Sequence, residues 1–265
     1  MNHAMKQYRF RKGLIPLLGV LLYCFSTIPA MASAHDDRAM DDAPIVLITG
    51  ANRGLGLEFA RQYAAVGWTV IGTARRPAQA DELQALDVEV VALDVMDEDS
   101  IAALANLLEG RAIDMLINNA GIFPRVSEIA QVDADDYRRT LMVNTLGPVL
   151  VTRALLPNLR QGELQRIVNI TSQLGSIDRN SGGFYGYRES KAALNMFTKT
   201  LASELGPEGF ICLAIHPGWV RTDMGGQNAN LSPEESVSAM RVVIDNVTAD
   251  DNGTYRGYSG DPVAW

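Results

Sequence analysis

The chain has 265 residues, 47% hydrophobic and 20% charged, enough for one substantial core, and a formal charge of −8. Leaving out Lys6, Arg9, Arg11 and Lys12 carries that charge to −12 for residues 35–265, which argues against a nucleic acid or an anionic membrane as partner and leaves a small molecule. With Cys24 and Cys212 as the only cysteines, neither a disulfide framework nor a metal-ligand cluster is expected.

Residues 1–34 have the order of an export signal: the four basic residues, the apolar run from Leu14 to Ile28, and Ala32-Ser33-Ala34 as a small-x-small cleavage site. Pro16 and Pro29 keep the run short for a membrane span, so no stable span is expected in the mature chain. Use of this segment would make the protein exported, periplasmic or membrane-associated; translation from Met31 or Met40 would leave it cytoplasmic. Residues 35–43 read as a short polar linker and 44–265 as the folded domain.

From residue 44 onward short apolar, β-branched runs alternate with amphipathic stretches. Strands are expected at 45–49, 68–73, 88–93, 113–118, 166–171 and 210–215, with a last one around 254–258. Helices are expected at 54–66, 97–108, 133–144, 147–159, 187–205 and 233–247, the last opened by a capping box from Ser232 to Glu235. Strands apolar on both faces and separated by helices imply right-handed crossovers, hence an α/β fold: a single doubly wound parallel sheet, a Rossmann fold, with helices on both faces.

The first strand runs into Thr49-Gly50-Ala51-Asn52-Arg53-Gly54-Leu55-Gly56 and then straight into a helix. Glycines there permit a tight turn and close approach of the backbone to a pyrophosphate, while the helix N-terminus offers free N–H groups. Further on, Tyr187 and Lys191 stand one helical turn apart, where a cation stabilises a phenolate and lowers the phenol's pKa toward a useful range. Ser172 ends the strand before them. His216 does not make a Ser-His-Asp hydrolase, because it precedes Pro217 at a strand end and no G-x-S-x-G elbow surrounds Ser172. A loop-positioning role is expected for it.

The spacing T-G-x-x-x-G-x-G, the Asn118-Asn119-Ala120-Gly121 segment, Tyr187-x-x-x-Lys191 and Pro217-Gly218-x-x-x-Thr222 together resemble the short-chain dehydrogenase/reductase family from Ile45 to the C-terminus. The resemblance implies an NADP(H)-dependent oxidoreductase that reduces an aldehyde or ketone to an alcohol by hydride transfer. Its catalytic residues would be Asn144, Ser172, Tyr187 and Lys191. Tyr187 would donate the proton, Ser172 hold the carbonyl oxygen, Lys191 also bond the nicotinamide ribose, and Asn144, at a helix irregularity, hold a water leading from the lysine to solvent.

On the cofactor, the resemblance places Thr49, Gly50, Asn52, Arg53, Gly54, Leu55 and Gly56 at the phosphate turn. Asp94 would lie by the adenine, followed by Val95 among the cofactor contacts; Asn119, Ala120 and Gly121 would lie beside the adenosine ribose, with Asn119 and Gly121 largely structural. Pro217, Gly218, Val220 and Thr222 would lie near the nicotinamide, Thr222 contacting its carboxamide. The family's NAD-selecting carboxylate is replaced by Ala74, so Arg53 and Arg75 are expected to hold a 2′-phosphate.

The motif details look most like the branch of sniffer-type carbonyl reductases and C-factor, whose members also suggest a second reading, a nucleotide-binding sensor or signalling protein on the same fold. The interval from Ser172 to Tyr187 is longer than usual for the family. Phe123, Tyr185 and Trp219 are expected to line the substrate pocket, under a small mobile lid at 225–231. A homo-oligomer would be in keeping with the family.

Overall fold

The computed structural model describes residues 43–265; the signal-like segment and most of the linker lie outside the described residues. Seven strands, β1 (Ile45–Ile48), β2 (Thr69–Ala74), β3 (Glu89–Ala92), β4 (Met115–Asn118), β5 (Arg166–Ile170), β6 (Ile211–His216) and β7 (Thr254–Gly257), form one sheet in the order β3-β2-β1-β4-β5-β6-β7. Every neighbouring pair is parallel.

Alternation within each strand sends side chains to two separate cores. Leu47, Ile71, Leu116, Ile167 and Cys212 face α3 (Glu98–Leu107), α5 (Gly147–Leu159) and α6 (Tyr187–Leu205). Val46, Ile48, Met115, Ile117 and Leu213 face α1 (Gly54–Ala65) and α7 (Pro233–Asp245). Each buried aliphatic side chain contributes roughly 1.5–3 kcal/mol, so both faces of the sheet are stabilised by burial. The expected Rossmann fold is the one observed.

The order reverses beside β1: from β1 the chain steps outward to β2 and β3, and β4 returns to its other flank. Loops after β1 and β4 therefore diverge, and the crevice between them is where such a fold binds ligands.

Two local features depart from expectation. A one-turn helix, α2 (Asp81–Gln84), follows β2 and buries Leu83 completely; Gly72 admits it, since a Cβ there would stand 3.0 Å from Leu83 Cδ1. The two helices expected at 133–144 and 147–159 form one continuous run, in which α4 (Ala134–Leu141) passes through a π-helical turn, Met142–Leu146, into α5. Among the described residues this run, Ala134–Leu159, is the one long and apolar enough to cross a membrane, and half of its most apolar window is buried in the protein core.

Candidate active site

The turn after β1 takes its shape from glycine. Gly50 and Gly54 adopt φ of +65° and +55°, and a Cβ on Gly56 would lie 2.3 Å from the Gly50 carbonyl and 2.5 Å from Asn119 Nδ2. Arg53, the residue before α1, makes no side-chain cap bond, which leaves the first N–H groups of that helix turned toward the crevice. Thr49 is buried: its Oγ1 accepts from the N–H groups of Asn119 (2.9 Å) and Ala120 (3.0 Å), while Asn119 Nδ2 donates to the Thr49 and Gly50 carbonyls. Thr49 and Gly56 thus shape the turn from behind, and neither reaches the cavity lining.

The crevice holds a cavity of about 530 Å³. Gly50, Asn52, Arg53, Gly54 and Leu55 wall it on one side; Asp94, Val95, Asn119, Ala120 and Gly121 line its floor. Tyr187, Lys191, Pro217 and Thr222 close the far end, and Arg75 stands at the near end. Beyond Arg75 lies a recess lined by Asn52, Arg53, Arg75, Arg76, Gln79 and Asp94, so three guanidiniums surround it. Gly218 and Val220 stay outside the lining. A Cβ on Gly218, φ +80°, would meet Leu231 at 2.7 Å, and Val220 is buried and paired with Leu231, so both shape the loop after β6.

At the far end Tyr187 and Lys191 occupy the first turns of α6, both buried. The Lys191 ammonium lies 5.8 Å from the phenol ring centre and donates to the Ile170 carbonyl at 2.9 Å. Burial pushes the Tyr187 phenol up to about 12; the Ser172 hydroxyl, which accepts from Leu174 N at 3.2 Å and stands outside the cavity lining, pulls in the opposite direction by less. Burial also lowers Lys191 to about 8. The expected depression of the phenol by the neighbouring cation is therefore corrected in the free protein, because loss of water penalises the phenolate and the ammonium is turned to a main-chain carbonyl. A neutral, desolvated phenol is a proton donor.

Asn144 lies in the π turn and is fully buried. Its Oδ1 accepts from Ile122 N (2.8 Å), and its Nδ2 donates to Ile122 O (2.9 Å) and Ser190 Oγ (3.0 Å). The side chain is thus occupied. Pro148 cannot donate to the Asn144 carbonyl as an ordinary helical residue would, so the main-chain oxygen is the group relieved of its α-helical partner. Gly121 keeps this corner open: a Cβ there would lie 3.3 Å from Asn144 Oδ1 and 3.8 Å from Lys191 Nζ.

His216 is held in the loop after β6, its Nδ1 accepting from Gly218 N at 3.1 Å; burial, with a smaller push from Arg179, lowers its pKa to about 4. It stays neutral and positions the loop. The lid is better tied than its composition suggests: Arg221 donates to the Ala229 and Asn230 carbonyls, and Trp219 Nε1 to Gly225 O. None of the three expected pocket residues is in the cavity lining: neither Tyr185 and Trp219 nor Phe123, whose ring packs 4.3 Å from that of Tyr187, centre to centre.

Sequence reasoning missed Glu82, Leu93, Met96, Ile122, Arg139, Val143, Ile170, Arg221, Asp223, Met224 and Pro233 in that lining. Arg221 lies inside the Pro217–Thr222 motif, Asp223 and Met224 directly follow it and Ile122 directly follows Gly121, so these four could have been found from position; Glu82, Met96, Arg139 and Pro233 carry no motif for a cofactor site. Arg53 reaches Asp223 Oδ2 at 3.1 Å, and Arg125 donates to the Met224 carbonyl at 2.7 Å, so the segment 222–226 is tied to both walls of the crevice.

A family model for the short chain dehydrogenase family matches residues 44–231. The C-signal protein of Myxococcus xanthus is 47% identical over 154 residues, which cover 58% of this chain and 93% of that protein. Among solved structures, the carbonyl reductase Sniffer of D. melanogaster superposes with a TM-score of 0.79 at 34% identity, covering 84% of this chain and 100% of its own. An NADPH-bound carbonyl reductase from chicken fatty liver superposes with a TM-score of 0.78 at 35% identity, covering 84% and 99%.

Proposed function

We propose that this chain, which belongs to the short chain dehydrogenase family of oxidoreductases, reduces an aldehyde or ketone to an alcohol at the expense of NADPH. The observation that carries the reading is the opening of Tyr187 and Lys191 onto the same cavity as the glycine turn. The residues present fit the dinucleotide: a turn with no room for a Cβ at Gly56, an exposed helix N-terminus, and a recess of three guanidiniums with Ala74, not a carboxylate, at the end of β2. Arg53 and Arg75 would hold the 2′-phosphate, the turn the pyrophosphate, and Thr222 the carboxamide end. The bound nicotinamide supplies a hydride to the carbonyl carbon.

Tyr187 donates its proton to the carbonyl oxygen as negative charge develops there, and the Ser172 hydroxyl bonds the same oxygen. Donors fixed in a desolvated site stabilise that charge more than the neutral ground state, which is the source of rate. Lys191, with its pKa near 8, is poised to pass a proton toward the phenol, and the freed carbonyl of Asn144 is placed to hold a water on the way to solvent.

The likeness to the C-signal protein favours a second reading, a signalling protein that binds the nucleotide without needing turnover. One experiment separates the two: NADPH and NADH consumption against a panel of aldehydes, ketones and diketones, with Tyr187→Phe alongside. NADPH-selective turnover that disappears in the variant supports the reductase. Tight NADPH binding with no turnover on the whole panel would move the assignment to the signalling reading.

A further inference from the structure

The long interval between Ser172 and Tyr187 ends in an unusual backbone, in which four of the five residues from 182 to 186 have positive φ. Gly182, Gly183 and Gly186 adopt φ of +82°, +67° and +78°, and between them Phe184 adopts +57°. Glycine enters this left-handed region without penalty; a residue with a bulky side chain does so only when its surroundings impose it. Strain of this kind gathers where a side chain must be held for function.

What imposes it is Arg188, a buried arginine at the start of α6. Its Nε donates to the Gly182 and Gly183 carbonyls (3.1 and 3.0 Å), Nη1 to the Leu174 carbonyl (3.2 Å) and Nη2 to Ser181 Oγ (3.1 Å), closing the loop on itself. Tyr185 N donates to the Val126 carbonyl at 2.9 Å and fastens the loop to the segment after β4. The guanidinium also lies 5.9 Å from the Phe184 ring centre. The outcome is a file of rings: Phe184 stands 5.3 Å from Phe123, and Phe123 stands 4.3 Å from Tyr187. Phe184 is half-buried and belongs to none of the hydrophobic core clusters, so packing of the core does not explain the ring.

We infer that Phe184 is a specificity-determining residue: the strained loop holds its ring against Phe123 to build an apolar wall beside Tyr187, which favours carbonyl compounds with a flat apolar arm over short aliphatic aldehydes. Arg188 is a positioning residue acting through Phe184. The inference rests on the reductase reading.

The test compares wild type with Phe184→Gly, Phe184→Asn and Phe184→Tyr, using NADPH with benzaldehyde and with acetaldehyde, and records thermal midpoints. Asparagine tolerates the left-handed turn, so it removes the ring while keeping the backbone. The Gly and Asn variants should lose about tenfold or more in kcat/KM for benzaldehyde, through KM, and less than about threefold for acetaldehyde, the range in which an apolar contact discriminates. Their midpoints should hold or rise, and Phe184→Tyr should restore benzaldehyde turnover. Equal losses on both substrates, no loss in the Asn variant, or a lowered midpoint in the Gly variant would overturn the assignment while leaving the reductase standing. A wild type inactive on both substrates and on the wider panel would remove the reductase reading, and this inference with it.

Discussion

At one end of the crevice Arg53, Arg75 and Arg76 stand exposed on the loops after β1 and β2; at the other, Tyr187 and Lys191 are buried in the first turns of α6, at the cavity's far end. The exposed charges act across water, so they attract an anion at little cost to the fold and lose strength as salt rises. The buried pair pays for its position in titration: the phenol is raised to about 12 and the ammonium lowered to about 8, both by burial. Affinity is built where the protein is wet and reactivity where it is dry. Substitutions at one end should therefore leave the other nearly untouched.

The sharpest division comes from Tyr187→Phe, which keeps the ring against Phe123 and removes the proton. Turnover should fall by roughly 10³-fold or more, while NADPH affinity changes less than about threefold. Steady-state oxidation of NADPH and a fluorescence titration read the two ends separately. Affinity falling in step with turnover would mean that the phenol also holds the nucleotide.

Next in size is a pH effect confined to the dry end. Lys191 titrates near 8 in the folded protein against about 10.5 when unfolded, so between those values the unfolded chain holds the extra proton and stability rises with pH. The gain is of the order of 2–3 kcal/mol at about 1.4 kcal/mol per pKa unit. Above pH 10 the raised Tyr187 phenol works the other way, because the unfolded chain loses that proton first. The raised Cys212 thiol and the raised Tyr63, Tyr187 and Tyr255 phenols oppose this gain as pH nears 10, so it is read as a difference: in urea unfolding of the ligand-free protein at pH 7.5 and pH 10, the change from the lower to the higher pH should be more favourable in the wild type than in Lys191→Met. An equal change in the variant would place its origin elsewhere.

The same division explains what the sequence disclosed. The glycine turn, Ala74 with Arg75, and the seven strands lie in contiguous runs, and contiguity is what periodicity and spacing report. At the wet end the glycine turn, Arg75, Asp94 and Asn119–Gly121 could be placed from sequence because they follow β1, β2, β3 and β4 directly, although Thr49 and Gly56 stand behind the turn and not in the cavity lining. At the dry end Tyr187 and Lys191 were visible as neighbours on a helix, but the sign of the phenol's shift was not, since it depends on burial by segments far away in the chain. The π turn was expressed only as a helix irregularity at Asn144, and the fusion of α4 with α5 was missed, the two being expected as separate helices at 133–144 and 147–159. Gly147 is there for close approach, a Cβ standing 3.0 Å from that of Val95. Nothing local announces the left-handed Phe184, because phenylalanine is among the residues least expected there.

At the wet end Arg75→Ala should weaken NADPH binding by about tenfold and leave NADH binding unchanged, the size expected for one charge-assisted phosphate contact. The difference should shrink as ionic strength rises from 0.05 to about 0.5 M. Equal weakening of both nucleotides would assign Arg75 to a feature that they share, such as the adenine or the pyrophosphate.

The smallest effect concerns Asp223, which reaches across from the loop after β6 to Arg53 at 3.1 Å, both side chains largely exposed. An exposed pair of this kind is worth up to about 1 kcal/mol, so Asp223 is a weak internal competitor for the guanidinium that would meet the 2′-phosphate. Removing the charge with Asp223→Asn should free Arg53 and tighten NADPH by about two- to fivefold at low salt, with NADH unmoved and the gain lost in high salt. The opposite result is equally instructive. If NADPH weakens while NADH does not, the carboxylate is holding Arg53 in its binding pose, and the ion pair preorganises the recess that competition would have it obstruct. The segment 222–226 would then couple the two ends after all, since Arg125 ties its other side at the Met224 carbonyl, and Arg125 itself lies 5.7 Å from the centre of the Phe123 ring that packs on Tyr187.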